Sequence, residues 1–126
     1  MNNIFKITLI FIGVAFTTPA FSMKARTITL TDKKVARIKL KPGRSTIISF
    51  PMKPTKVILG NSGIFTVEYV DNDIALAALM SPARSNMFVY LYGKRFAFDL
   101  VTVRRRGDEI VIIRDAKDTD IKVKIK

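Results

Sequence analysis

Short runs of alternating apolar and polar residues, rich in β-branched side chains, follow one another along the chain with turn residues between them. Successive side chains of a β-strand point to opposite faces, so a two-residue period is typical of strands. No 3.6-residue apolar period persists for long. The pattern therefore predicts an all-β domain. The predicted strands are residues 26–30, 35–40, 45–50, 56–59, 64–70, 74–80, 87–92, 95–103 and 110–114.

About nine short strands in about a hundred residues predict an antiparallel β-sandwich, with a small barrel as the alternative. Residues 74–80, IALAALM, are ambiguous because alanine and leucine favour helix, and we predict a strand with helix as the alternative. A last run, residues 121–126, places lysines on one face, which is typical of a protected edge strand.

Residues 88–101, FVYLYGKRFAFDLV, predict a hairpin around Gly93-Lys94. A two-residue loop that begins with glycine is typical of a type II′ turn. We expect the large side chains of both strands to lie in the core: Phe88, Tyr90 and Tyr92 on the first, and Phe96, Phe98 and Leu100 on the second.

The first 22 residues have the layout of a secretory signal peptide. Lys6 precedes an apolar run, and Ala20 and Ser22 are small residues at the expected cleavage site. An uncleaved anchor is the alternative, and no cysteine is present for a lipoprotein signal. We therefore expect a signal peptide over residues 1–22 and a single periplasmic domain over residues 23–126. An exported chain without cysteine suits the bacterial periplasm.

The chain is strongly basic, with a formal net charge of +12, and Lys6 is the one basic residue in the leader. Such a charge attracts nucleic acid, anionic lipid, lipopolysaccharide or an acidic protein face. The candidate anion-binding or partner-binding patch consists of Lys94, Arg95, Arg104, Arg105 and Arg106. The alternative for the three consecutive arginines is a solvated turn.

Histidine and cysteine are both absent, which removes the usual base of a nucleophilic triad and the usual zinc ligands. A carboxylate pair for glycoside hydrolysis is still conceivable with ten acids, but most of these acids lie in predicted turns. For Asp71-Asn72-Asp73 we favour a turn over a cation site. The sequence predicts a protein that is not an enzyme and that uses no cofactor and no metal.

Residues 40–70, LKPGRSTIISFPMKPTKVILGNSGIFTVEYV, resemble the opening of the TrbG/CagX family of conjugal-transfer and type IV secretion proteins. In that pattern a glycine turn precedes a strand entering Phe-Pro, and a strand ending in glycine follows. These elements correspond to Gly43, Phe50-Pro51 and residues 57–60. The resemblance continues at Asn86, in MFVYLY (residues 87–92), at Gly93 and in RFAFDL (residues 95–100). A looser similarity is to the short domain that begins pilus secretins.

The resemblance implies a periplasmic β-sandwich within a ring under the outer membrane, and it transfers no catalytic residue. Family members commonly continue into a second β domain, for which we expect no counterpart in these residues. We therefore expect a non-enzymatic assembly or scaffold subunit of a type IV secretion or conjugation apparatus. Its partners would be other apparatus subunits and further copies in a ring. The alternatives are a basic module that binds DNA or lipopolysaccharide, and a pilus-secretin-type domain.

Overall fold

A computed structural model describes residues 23–117, and these residues form nine strands. The predicted leader and the predicted strand over residues 121–126 lie outside the described residues. Within residues 23–117, no helix is long and apolar enough to cross a membrane. The strands are β1 Ala25–Leu30, β2 Val35–Leu40, β3 Ser45–Ser49, β4 Lys56–Leu59, β5 Phe65–Val70, β6 Asp73–Ala78, β7 Arg84–Leu91, β8 Lys94–Thr102 and β9 Ile110–Asp115.

The nine strands form two sheets that pack face to face. The five-stranded sheet has the order β1-β9-β3-β6-β5, and the four-stranded sheet has the order β2-β8-β7-β4. The inward side chains of both sheets share one core cluster. The predicted all-β sandwich is confirmed, and the barrel alternative is wrong because two separate sheets are present.

Both sheets are mixed rather than wholly antiparallel. β9 runs parallel to both β1 and β3, and β2 runs parallel to β8. The first five strands alternate between the sheets, so strands that are adjacent in a sheet often come from distant parts of the chain. Parallel and antiparallel pairing use the same two-residue side-chain period, and the sequence pattern therefore could not distinguish them.

The ambiguous run over residues 74–80 forms a strand as predicted, although the strand, β6, ends at Ala78 and does not include Leu79 and Met80. Ile74, Leu76 and Ala78 are buried, whereas the residues between them are only partly buried. This two-residue period matches the inward face of a sheet, and a helix would have spread the same side chains around its axis. Burial between β3 and β5 therefore outweighs the helical preference of alanine and leucine.

The β7–β8 hairpin forms, but its turn and its inward face differ from the prediction. Leu91 pairs with Lys94, so the central residues of the turn are Tyr92 and Gly93. Gly93 has φ +71° at the second central position, which is the requirement of a type II turn rather than type II′. Tyr92 is 85% exposed.

In β7, the buried side chains are the ones that alternate with the aromatic residues predicted to lie in the core. Met87, Val89 and Leu91 are buried, whereas Phe88 and Tyr90 are half-buried on the outer face. The expectation that Phe88, Tyr90 and Tyr92 belong to the core is thus wrong. Among residues 87–92 both alternating sets are large and mostly apolar, and the register with β8, in which Val89 faces Phe96 and Met87 faces Phe98, places the second set in the core. The prediction for β8 is confirmed, because Phe96, Phe98 and Leu100 are buried.

Three phenylalanines join the two sheets. Phe50 follows β3 of the five-stranded sheet, and Phe96 and Phe98 belong to β8 of the four-stranded sheet. The ring of Phe50 stacks on Phe96 with centroids 6.5 Å apart and meets Phe98 edge-on at 6.0 Å. Such pairs contribute about 0.5–1.5 kcal/mol beyond the burial of their area.

The Phe50→Ala substitution should lower the free energy of unfolding by about 3–5 kcal/mol, because it opens a cavity between the sheets. Urea denaturation of the variant beside the parent measures this loss. Tyr92→Ala is the control, since its exposed ring should be worth no more than about 0.5 kcal/mol. Equal losses for the two variants would show that Phe50 does not hold the sheets together.

Candidate functional site

The five residues of the predicted patch lie at two ends of one strand. Lys94 and Arg95 begin β8, and the three arginines follow its end at Thr102. A nine-residue strand spans roughly 30 Å, so the two groups do not form one surface. The structure brings Arg104, Arg105 and Arg106 together in one loop, and it leaves Lys94 and Arg95 at the far end of the sandwich.

Lys94 forms an ion pair with Asp115, which lies at the end of β9 in the opposite sheet. Asp115 is only 4% exposed. Its burial acts to raise its pKa, but hydrogen bonds from Lys94 and from the backbone N–H of Lys117 outweigh this effect. The pKa of Asp115 therefore lies below its usual value. Lys94 thus ties the two sheets together at this end, and Arg95 beside it is exposed.

The three arginines form an exposed loop, here called the arginine loop, whose two ends are fixed to β2. The backbone N–H of Val103 donates to the carbonyl oxygen of Leu40 at 2.9 Å. The N–H of Asp108 donates to the carbonyl oxygen of Lys39 at 2.7 Å. Gly107 lies so close to this strand that a Cβ there would come within 2.8 Å of two backbone atoms. The loop therefore has a defined path, and all three arginines face solvent.

The fixed loop adds its charges to those of β2 and of the turn after it. Lys39 and Lys41 lie where the loop is tethered, and Arg44 closes the following turn through its N–H to the Lys41 carbonyl oxygen at 3.1 Å. The Arg44 Nη2 lies 3.8 Å from a Glu109 carboxylate oxygen. This end of the sandwich is therefore strongly cationic.

An open cleft of about 650 Å³ runs between β1 and β2 on one side of the sandwich, and it is here called the edge cleft. β1 is an edge strand of the five-stranded sheet, and β2 is an edge strand of the other. The cleft combines apolar side chains with a cationic border. Its lining includes Ile28, Leu30, Ala36, Lys34, Arg37 and Lys39.

Arg26 and Asp108 bridge the two sheets at the edge cleft. The Arg26 Nε and Nη2 donate to the two carboxylate oxygens of Asp108 at 2.8 and 2.9 Å. The Arg26 Nη2 also donates to the Arg37 carbonyl oxygen at 2.7 Å, and the Lys39 N–H donates to Asp108 at 2.8 Å. The side chains thus satisfy backbone groups of β2 that its free edge would otherwise expose to water.

The outer face of the four-stranded sheet holds a second charged group. Asp99 on β8 accepts hydrogen bonds from Arg84 at 2.9 and 3.0 Å and from Arg37 at 3.1 Å. The hydrogen bonds from Arg84 make the largest contribution to lowering the pKa of Asp99. Partial burial of Asp99 acts to raise this pKa, and the hydrogen bond from Arg37 lowers it further. The pKa of Asp99 is therefore lowered. In the part of the chain that the structure describes, Lys34 and Lys39 are the cations of the edge cleft with no salt bridge to a carboxylate.

The residues of the edge cleft were not part of the predicted patch. Arg37 and Lys39 alternate with buried residues in β2, a pattern that predicts only an exposed strand face. Arg26 occupies an inward position of β1, which is an unusual place for a charge and is the one signal that the sequence offered. The contact of Arg26 with Asp108 joins positions 82 residues apart, and no local pattern encodes it.

Asp71 lies in the turn between β5 and β6, and Asp73 is the first residue of β6. Asp71 adopts φ 52°, a left-handed conformation that aspartate tolerates in turns, and Asp73 accepts a hydrogen bond from the Ser49 hydroxyl. Among residues 23–117, no group of three or more His, Cys, Asp or Glu side chains is placed to hold a metal ion.

Two elements of the family resemblance meet in the structure. The Gly60 N–H donates to the Asn86 carbonyl oxygen at 3.1 Å, and a Cβ at Gly60 would collide with the Asn86 side chain. In comparisons with known proteins, no family model and no curated protein matches this chain. The resemblance to the TrbG/CagX family therefore remains a prediction.

Replacing Lys94 by methionine should change how stability depends on pH. In the parent chain the lowered pKa of Asp115 stabilises the fold above about pH 3.9, and this contribution disappears as the pH falls through the folded-state pKa. In Lys94→Met, burial should instead raise the pKa of Asp115. The variant should lose about 1–3 kcal/mol at pH 7 and recover part of this loss as the carboxyl group is protonated.

Urea denaturation at several pH values from 3 to 7 measures both effects. Arg95→Met is the matched control, because it removes an equal charge one residue away from an exposed position. Its difference from the parent should stay nearly constant with pH. A constant difference for Lys94→Met as well would contradict the role assigned to the ion pair.

The Gly107→Ala substitution should displace the arginine loop. Its Cβ would lie 2.8 Å from the Lys39 oxygen and the Lys41 nitrogen, both of which are backbone atoms. We expect a loss of about 1–3 kcal/mol in unfolding free energy. Gly63→Ala is the control, because a Cβ there meets no atom within 4 Å. If both variants match the parent in thermal denaturation, the loop is not tightly held against β2.

Proposed function

We propose that this chain is a non-enzymatic periplasmic assembly subunit of a type IV secretion or conjugation apparatus, acting through protein–protein contacts. The layout of the first 22 residues supports export, and the family resemblance supports the apparatus. The fold supports the mode of action, since a sandwich held together by a shared core is a rigid block that can present several surfaces.

The unequal distribution of charge over the sandwich is the observation that carries this proposal. The outer face of the five-stranded sheet has Arg114 as the only cation among the outward residues of its described strands. We call its centre the neutral face. It consists of Ala25, Thr27, Ile47, Ala75, Ile110 and Ile112. In a chain with a net charge of +12, a face so poor in lysine and arginine is a candidate protein contact.

The outer face of the five-stranded sheet, with the neutral face at its centre, has a size that suits one contact among several. Five strands about 4.8 Å apart and about six residues long cover roughly 500 Å². A standard protein–protein interface buries about 800 Å² on each partner. This outer face would therefore supply most of one interface, and the cationic edge cleft offers a second surface of different chemistry. Two unlike surfaces on one block suit a subunit that touches more than one neighbour.

A polyanion-binding module is the second candidate function, and the arginine loop favours it. Three consecutive exposed arginines on a loop of fixed path, beside Lys39 and Lys41, form a compact site for phosphate groups. If this function holds, binding to duplex DNA should weaken steeply with salt, because counterions are released at each phosphate contact.

The triple Arg104→Ser, Arg105→Ser, Arg106→Ser variant tests the second candidate. It should bind DNA more weakly and with a shallower salt dependence than the parent in a fluorescence anisotropy titration. The triple serine variant at Lys24, Lys53 and Lys56 is the control, because it removes an equal charge outside the loop. Equal losses for both variants would mean that only net charge matters.

The proposed export is tested by measuring the mass of the protein that is recovered in a periplasmic extract. We expect a protein that begins at Met23, because the small residues Ala20 and Ser22 suit signal peptidase. Replacement of Ala20 by a bulky residue should leave the uncleaved precursor. Retention of the parent chain in the cytosol at full length would contradict the periplasmic assignment.

Contact through the neutral face is tested with a photo-cross-linking amino acid at Ile112, which is 37% exposed. In cells that make the secretion or conjugation apparatus, we expect one or two discrete adducts with its subunits. The same amino acid at Tyr92, exposed on a turn away from this face, is the control. Identical, diffuse adducts from both positions would count against an assembly role.

A further inference from the structure

The first strand of the five-stranded sheet has an edge available for pairing. β1 pairs with β9 along its whole length, and its other side is an edge of the sheet. In the described part of the chain, no hydrogen bond outside this ladder uses a backbone atom of β1. Alternate backbone groups of β1 therefore face outward as donors and acceptors for a further strand.

The two edges of the four-stranded sheet are capped differently. On β2, the Arg26 side chain donates to the Arg37 carbonyl oxygen, and Asp108 binds both the N–H and the carbonyl oxygen of Lys39. On the opposite side, the Val57 N–H of β4 donates to the Tyr69 hydroxyl at 2.9 Å. A side chain from the five-stranded sheet thus covers each edge of its neighbour. Among residues 23–117, β1 and β5 are the edge strands without such caps, and a further strand can be added to them.

The charges near the two edge strands β1 and β5 differ in sign. β1 borders the edge cleft, whose lining on the β2 side includes Lys34 and Lys39, neither of which forms a salt bridge to a carboxylate within residues 23–117. β5 instead carries Glu68 on its exposed outer face. An added strand with acidic side chains would gain attraction at β1 and would meet a like charge at β5.

We propose that β1 binds an extended acidic peptide segment of a partner protein as an added strand. The backbone of the segment would pair with β1. Its acidic side chains would point to the inner side, toward the lysines Lys34 and Lys39 of the edge cleft, and its alternate apolar side chains would point to the outer side and continue the neutral face beside Ala25 and Thr27. This inference rests on the proposed assembly function and deepens it, because it names the chemistry of one partner and the strand that receives it.

A peptide fits the edge cleft better than an anionic lipid does. Leu30 is 2% exposed and Ala36 is 6% exposed, so the cleft offers an acyl chain little apolar surface. Lipid also makes no use of the free backbone groups of β1, whereas a peptide strand satisfies them. An edge strand of six residues beside a cationic wall is therefore matched to a short stretch of polypeptide.

The test uses the full chain and a fluorescent peptide of about eight residues in which valine and aspartate alternate, a typical strand length. We expect saturable binding, and we expect no binding by the same peptide with lysine in place of aspartate. N-methylation of alternate peptide nitrogens removes the donors on one edge of the strand. At least one of the two methylation patterns should abolish binding. Unchanged binding by both patterns would overturn the proposal, because charge alone would then explain the affinity.

Two double variants test whether the peptide binds beside β1. The double variant Lys34→Glu, Lys39→Glu should weaken binding at least about tenfold, since it sets like charges against the peptide. Lys53→Glu with Lys56→Glu makes the same change in net charge away from β1 and should weaken binding by less than about threefold. Equal losses, or displacement of the peptide by anionic lipid vesicles but not by neutral ones, would refute strand addition at β1.

Failure of this inference can be told apart from failure of the assembly function. If Ile112 gives discrete adducts with apparatus subunits and the peptide does not bind, β1 is not the receiving strand and the assembly role stands. If the peptide binds at β1 and Ile112 gives only diffuse adducts, the chain binds acidic segments outside such an apparatus.

Discussion

The apolar layer between the two sheets, with Phe50 packed on Phe96 and Phe98, is the interaction on which the rest of the structure depends. It fixes the separation of the sheets at about 10 Å, the usual distance in a sandwich. That distance is short enough for a long side chain on an edge strand of one sheet to reach the backbone of the other. Arg26 and Tyr69 both do so, one on each open side.

These bridges explain how the sandwich manages its edges. Unpaired strand edges invite association with other chains, and proteins usually cover or charge them. Here the covered edges belong to the four-stranded sheet, and the cover consists of side chains from its neighbour. The proposed partner site at β1 follows from the same geometry, since Arg26 leaves β1 to cap β2 and does not cap the edge of its own strand.

The excess positive charge is not spread evenly over the molecule. Lys94 forms an ion pair with the buried Asp115, and Arg37 and Arg84 both form ion pairs with Asp99 on the outer face of the four-stranded sheet. The arginine loop lies along β2 because backbone hydrogen bonds tether it there, and the edge cleft lies between β1 and β2. The proposed assembly role and the proposed strand-addition site both rest on this separation of a cationic edge from a neutral face.

The sequence by itself determined where most of the strands lie and that the domain is all-β, because alternation of apolar residues is local and survives in any pairing. The two separate sheets of the tertiary structure then decided for the sandwich over the barrel. The sequence also located the arginine loop as an exposed cationic turn. Only the tertiary structure decided the mixed pairing, the inward face of β7 and the closeness of Arg26 to Asp108. Among residues 87–92 both alternating sets are large and mostly apolar, so the register with β8 determines which set faces the core. The edge cleft arises where two strands from different sheets meet, and such contacts between distant residues leave no periodic trace in the chain.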